Sequence, residues 1–170
     1  MPDSFAERLS AQQGYLTSEP LAVKNASGEE PNVFLFADAG YAPYATTIET
    51  TTKLVKDKPD LVQRFVDASI IGWYNYLYGD NKAANDLIKK DNPEMTDEQI
   101  AFSIQQLKDH GILVSGDAES KGIGCMTDAR QKSFYDMLVG LKLIDPSIDY
   151  KAAYTTQFVC KGVGMDLVKK

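Results

Sequence analysis

Asn32-Val33-Phe34-Leu35-Phe36-Ala37 is a short apolar run. Asn25-Ala26-Ser27-Gly28 and Pro31 precede it, and Asp38-Ala39-Gly40-Tyr41-Ala42-Pro43-Tyr44 follows it. An apolar run bracketed by turn residues reads as a buried strand, and Gly40 and Pro43 punctuate the loop after it. Thr46-Thr47-Ile48-Glu49-Thr50-Thr51 is rich in β-branched residues and reads as a second strand. Its threonines equally suit the cap of the helix that follows. Two strands alone are marginal in water, so these are expected to pair with strands outside this chain or between copies.

Beyond residue 51 the pattern turns helical. Thr52 to Lys58 predicts a short helix that stops before Pro59. Asp60 to about Tyr78 is the best helix in the sequence: Leu61, Val62, Phe65, Val66, Ser69, Ile70, Trp73 and Leu77 recur at three- and four-residue steps, so one face is apolar. Residues 82–90 predict another helix, broken at Asn92-Pro93. Thr96-Asp97-Glu98-Gln99 is a capping box and opens a helix that ends at His110-Gly111. Asp128 to about Leu141 is the last clear helix, with Phe134, Met137, Leu138 and Leu141 on one face. Shorter helices are expected at 4–13, 18–26 and 149–158. The fold class is therefore α/β, helix-rich, with few strands.

The 170 residues are 44% hydrophobic, enough for a packed core, and carry a net charge of −6. An acidic balance argues against nucleic acid and against an anionic membrane surface. No stretch is long and apolar enough to span a bilayer. Met1-Pro2-Asp3-Ser4-Phe5 lacks the basic and apolar regions of a signal peptide. Cys125 and Cys160 are far apart, and His110 is the only histidine. A zinc site of the usual Cys/His type cannot be assembled from that set within one chain, so no metal or cofactor is expected. Each cysteine suits a small apolar core position, and a disulfide between them suits an exported chain.

Gln12-Gln13-Gly14-Tyr15-Leu16-Thr17-Ser18-Glu19-Pro20 concentrates the polar chemistry. Ser18 suits a helix N-cap, its hydroxyl accepting from a free amide. Glu19 then falls at the first helical position, and Pro20 is tolerated in that first turn. A carboxylate at a helix mouth, beside a tyrosine and two hydroxyls, is suited to hold a small polar ligand. It equally suits an ordinary capped helix start. Trp73, Tyr74, Tyr76 and Tyr78 read as core and rim, and Asp128 and Arg130 as a helix start and its surface. Gly122-Ile123-Gly124 lacks the strand-glycine-helix context of a phosphate loop.

These segments together resemble the C-terminal half of an NMT1/THI5-like ABC transporter periplasmic substrate-binding protein. The resemblance is carried by Gln12 to Pro20, Val33 to Thr51, Pro59 to Tyr76, Asn92 to Gln99, and Gly122 to Gly124 with Met126 to Asp128. It implies a partial periplasmic-binding-protein lobe of the type II kind, with residues 1–31 as a remnant of lobe two. Residues 32–51 would then be the hinge return, and 52–170 the helical C-terminal part of lobe one. It implies a small polar or pyrimidine-like solute, nitrate, a sulfonate or taurine as ligand. The expected ligand-binding residues are Glu19, Ser18, Thr17, Tyr15, Tyr41 and Tyr44. Permease subunits are the implied partners, and the periplasm the implied compartment, with a signal peptide carried by the full-length protein. Lobe closure about the hinge would signal binding. An exposed apolar lobe face predicts self-association of the isolated chain.

Two other functions compete. THI5-like relatives that make a thiamine pyrimidine resemble members with a cysteine-rich iron site and an N-terminal histidine, and this chain has neither. No nucleophile-base pair is apparent, so no enzyme activity is expected. A helical module that binds nothing is the third reading, because small-molecule sites bury most of the ligand surface and one wall alone does not.

Overall fold

The computed structural model describes residues 11–168, and helices joined by turns make up its regular structure. In chain order they are α1 (Glu19–Ser27), α2 (Thr52–Asp57), α3 (Pro59–Tyr78), α4 (Lys82–Asp91), α5 (Asp97–Asp109), α6 (Asp117–Lys121) and α7 (Asp128–Gly140). Short 3-10 turns follow at Tyr150–Ala153 and Met165–Leu167. The chain divides into two compact units. The first contains α1, α4 and α5, and the second contains α2, α3, α6, α7 and the tail.

Several helix starts are set by hydroxyl caps, each satisfying an amide that the helix leaves unpaired. Thr51 accepts from the Leu54 amide at 3.1 Å, Thr96 from Gln99 at 3.0 Å and Thr127 from Arg130 at 3.4 Å. The capping box at Thr96 is only half formed. The Gln99 side chain turns instead to the Thr17 carbonyl at 3.0 Å, and Ser103 donates to the same oxygen at 2.7 Å. These bonds tie α5 to the entry of α1. Among the described residues, Leu21 and Ile100 are the buried hydrophobic side chains of this first unit.

The second unit is organised by α3. Val62, Val66, Ile70, Tyr74 and Leu77 are its buried face, a stripe at helical spacing. Burying such side chains stabilises by about 1.5–3 kcal/mol each. Ile123, Cys125 and Phe158 complete the core. Tyr74 accepts from the Ile123 amide at 3.2 Å, and Gln63 donates to the Phe158 carbonyl at 3.1 Å. Gly164 presses the tail against the Tyr74 ring: a Cβ there would sit 2.7 Å from Cδ2, and its φ of 74° already favours glycine.

The two expected strands do not form, and the α/β periplasmic-binding-protein lobe is corrected accordingly: no strand occurs among the described residues. A strand needs a ladder partner to satisfy its amides and carbonyls. Phe36 instead closes a turn, its carbonyl accepting from Ala39 and Tyr41 at 3.1 and 3.0 Å. Phe34 stays 88% exposed, so the apolar run is not a buried one. Thr46 has a φ of 50°, which breaks the second run at its start, and Thr51 takes the capping role.

Smaller expectations also change. Residues 11–14 are not helical, and the rest of the expected 4–13 helix lies outside the described residues. The helix expected at 149–158 shrinks to one 3-10 turn, and α6 has no counterpart in the periodicity reading. Cys125 and Cys160 are not separate fillers but a disulfide, 35 residues apart in sequence. It fastens the tail to the segment before α7. Closing a loop of that size removes entropy from the unfolded chain and typically adds about 2–4 kcal/mol. Urea unfolding with and without reductant is expected to show a loss in that range. Coincident transitions would contradict this role for the bond.

Candidate functional site

Glu19, Ser18, Thr17 and Tyr15 sit together at the entry of α1. Glu19 is the first helical residue, with Pro20 beside it. Ser18 precedes the helix, but its hydroxyl caps no amide: it donates to Glu19 Oε2. The same oxygen accepts from the Tyr15 amide at 2.6 Å. Gly14 makes room for this fold-back, since a Cβ there would lie 2.5 Å from Glu19 Cγ. Thr17 contributes its carbonyl to α5, and the Tyr15 side chain is 73% exposed.

Burial disfavours the charged form of Glu19, but the Ser18 hydroxyl and the Tyr15 and Glu19 amides outweigh it. They hold the carboxyl below the ordinary 4.5. A depressed carboxyl stabilises the fold above its unfolded pKa, and the gain fades as pH falls through the folded one. The Tyr15 amide resonance is therefore expected to titrate with a midpoint below 4.5, and Glu19→Gln should abolish the titration. A midpoint at or above 4.5 would overturn the arrangement.

Tyr41 and Tyr44 lie in the second unit, on the loop after the Phe36 turn. The Tyr44 hydroxyl donates to Asp117 Oδ2 and accepts from the Thr127 amide at 2.9 Å. It thus joins the starts of α6 and α7. Burial, then the bond to Asp117, raise its pKa above 10.0, so it stays a donor at neutral pH. Arg130 lies over the Tyr44 ring, 4.4 Å from ring centroid to Cζ. Its Nε donates to the Ala42 carbonyl at 2.9 Å, and a terminal nitrogen to Pro43 at 3.4 Å. Tyr41 packs edge-on against Phe134, with centroids 5.6 Å apart.

This loop and α7 enclose a cleft of about 260 Å³, lined by Gly40, Ala42, Arg130, Ser133, Phe134 and Met137. It combines one guanidinium, one hydroxyl, an aromatic wall and a thioether. Sequence reading grouped Phe134 and Met137 on one helix face but treated Arg130 as surface. The carbonyls that aim its guanidinium belong to residues 42 and 43, far away in sequence.

Residues 5–84 match the model of the family described as NMT1/THI5 like. That part of the chain is similar to the NMT1/THI5-like family. The matched segment holds all six expected site residues and the 40–44 loop. The segments Asn92–Gln99 and Gly122–Asp128, read above as part of the resemblance, lie beyond it. No curated protein and no solved structure matched the chain. The NMT1/THI5-like match points to a substrate-binding or THI5-related role.

Tyr44→Phe removes one donor from Asp117 and one acceptor from Thr127. It is expected to cost about 1–3 kcal/mol in urea unfolding. Tyr15→Phe, altering an exposed ring, should stay within about 0.5 kcal/mol. Equal effects would refute the pinning role of Tyr44.

Proposed function

We propose that this protein is the solute-binding component of an ABC importer and that its solute enters the cleft between the 40–44 loop and α7. One observation carries the reading: the NMT1/THI5-like match runs through the loop that forms one wall of that cleft. The cleft suits a small polar molecule, because its lining mixes polar groups of Arg130 and Ser133 with the apolar Phe134 and Met137. Candidate ligands are a pyrimidine-like molecule, nitrate, a sulfonate or taurine. No chemistry is assigned to the protein itself; binding would be reported to permease subunits.

The disulfide between Cys125 and Cys160 supports an oxidising compartment, which agrees with the periplasm. It also weighs against a thiolate-held iron centre of the THI5 kind, because both sulfurs are bonded to each other. The choice is tested by calorimetric titration of the oxidised protein with hydroxymethylpyrimidine, nitrate, taurine and aliphatic sulfonates. At least one is expected to bind with a dissociation constant below about 1 mM, near −4.1 kcal/mol. Failure of every solute, or stoichiometric iron in the purified protein, would overturn the reading.

A further inference from the structure

We propose that the Cys125–Cys160 disulfide is a redox latch: a dithiol reductant opens it at Cys160, and opening it frees the tail from α3 and loosens the start of α7. The latch acts on the helical wall of the cleft and does not depend on which solute enters there. Its tail side has alternate residues in the left-handed region, Cys160 at φ 61°, Gly162 at 69° and Gly164 at 74°. Glycine adopts that backbone freely, whereas a residue with a Cβ is strained in it. The covalent bond thus holds Cys160 in a conformation that the residue itself disfavours. The other ties of the tail are few. Phe158 is buried and its carbonyl accepts from Gln63 at 3.1 Å, Lys161 reaches the Gln63 side chain, and Gly164 rests on the Tyr74 ring. The Gly162 amide donates to the Lys121 carbonyl at 3.1 Å. Keeping the tail in one conformation costs entropy at every residue, and removing the bond leaves only these contacts against that cost.

The two sulfurs are not equally open to attack. Cys125 is 3% exposed, whereas Cys160 is half-buried. A thiolate of the reductant attacks Sγ of Cys160, the S–S bond breaks, and Cys125 leaves as a thiolate that takes up a proton. The second thiolate of the reductant then attacks the mixed disulfide. Cys160 leaves and takes up the second proton, and the reductant departs as its own disulfide, oxidised by two electrons. Strained or accessible disulfides are the ones that exchange in this way, and in an oxidising compartment the closed form is the resting one.

The effect reaches α7 because the bond lies two residues before its cap. Cys160 Sγ sits 3.3 Å from the Met126 carbonyl oxygen, and the next amide, that of Thr127, donates to the Tyr44 hydroxyl at 2.9 Å. The stretch from Gly122 to Thr127 contains no helix, and its Gly122 and Gly124 are also left-handed. Ile123 keeps its burial and its bond to Tyr74 in the open form, but the residues after it lose their covalent anchor.

The test follows amide exchange in the full chain, first oxidised and then reduced with dithiothreitol. After reduction, Gly162 and Thr127 are expected to exchange at least tenfold faster than before, and at least tenfold faster than Val66 and Ile70 of α3. Reoxidation should restore the original rates. Brief treatment with glutathione, followed by alkylation and peptide mapping, should place the mixed disulfide on Cys160. Two variants without the bond isolate the backbone strain. Gly162 should exchange at least threefold more slowly in Cys125→Ser/Cys160→Gly than in Cys125→Ser/Cys160→Ser. An unchanged Gly162 rate on reduction, acceleration of all four amides to one common rate, a mixed disulfide on Cys125, or equal rates in the two variants would each overturn the latch.

Discussion

The Tyr44 hydroxyl holds a loop that has no ladder to hold it. Residues 41–50 contain no helix or strand, so their position rests on side-chain bonds. One phenol reaches both Asp117 and the Thr127 amide, and thereby links the loop to two helix starts. Arg130 adds a return contact, lying over the same ring and donating to the carbonyls on either side of the Ala42–Pro43 bond. The cleft follows from this arrangement. Its loop wall is fixed by Tyr44 and Arg130, and its helical wall by the Thr127 cap that begins α7.

The core beneath that site is small, and its tail is fastened in two different ways. Tyr74 and Gly164 meet at a distance only glycine allows, so the polypeptide itself packs against α3. The disulfide then fixes Cys160 beside Cys125. The regular structure of the tail is limited to short 3-10 turns at Tyr150–Ala153 and Met165–Leu167, and such turns supply little stability of their own. Packing on α3 and covalent closure substitute for regular structure. The same bond holds the segment that leads into Thr127, so tail closure and the helical wall of the cleft share one anchor.

Helices were legible where periodicity and caps agreed. The Thr96 cap and the Pro59 boundary are local features, and each appears where the residues indicate, whereas the buried α3 stripe is narrower than its periodicity suggests: Leu61, Phe65 and Trp73 stay exposed and Tyr74 joins the core. Strands were misread because apolar content alone does not create a pairing partner. Val33 to Phe36 looks like core but has 47%, 88% and 60% exposure at Val33, Phe34 and Phe36. The Thr46–Thr51 run was ambiguous from the start, and the cap of α2 used its last threonine. Arg130 was not legible as a cleft-lining residue for a different reason. Its significance depends on contacts across more than eighty residues, which no local window contains.

Glu19 and Arg130 show two ways in which a charge is tied into the fold. Glu19 Oε2 accepts from Ser18 and from the Tyr15 amide. Its negative charge is used to order the turn before α1, and a ligand would have to compete with bonds less than five residues away. Arg130 is held by the Ala42 and Pro43 carbonyls, by the Tyr44 ring face and by Asp117, whose Oδ2 lies 4.0 Å from a terminal nitrogen. Glu19 thus orders the turn before α1, and Arg130 fastens the 42–43 segment to α7, with Tyr41 packed on Phe134 beside it.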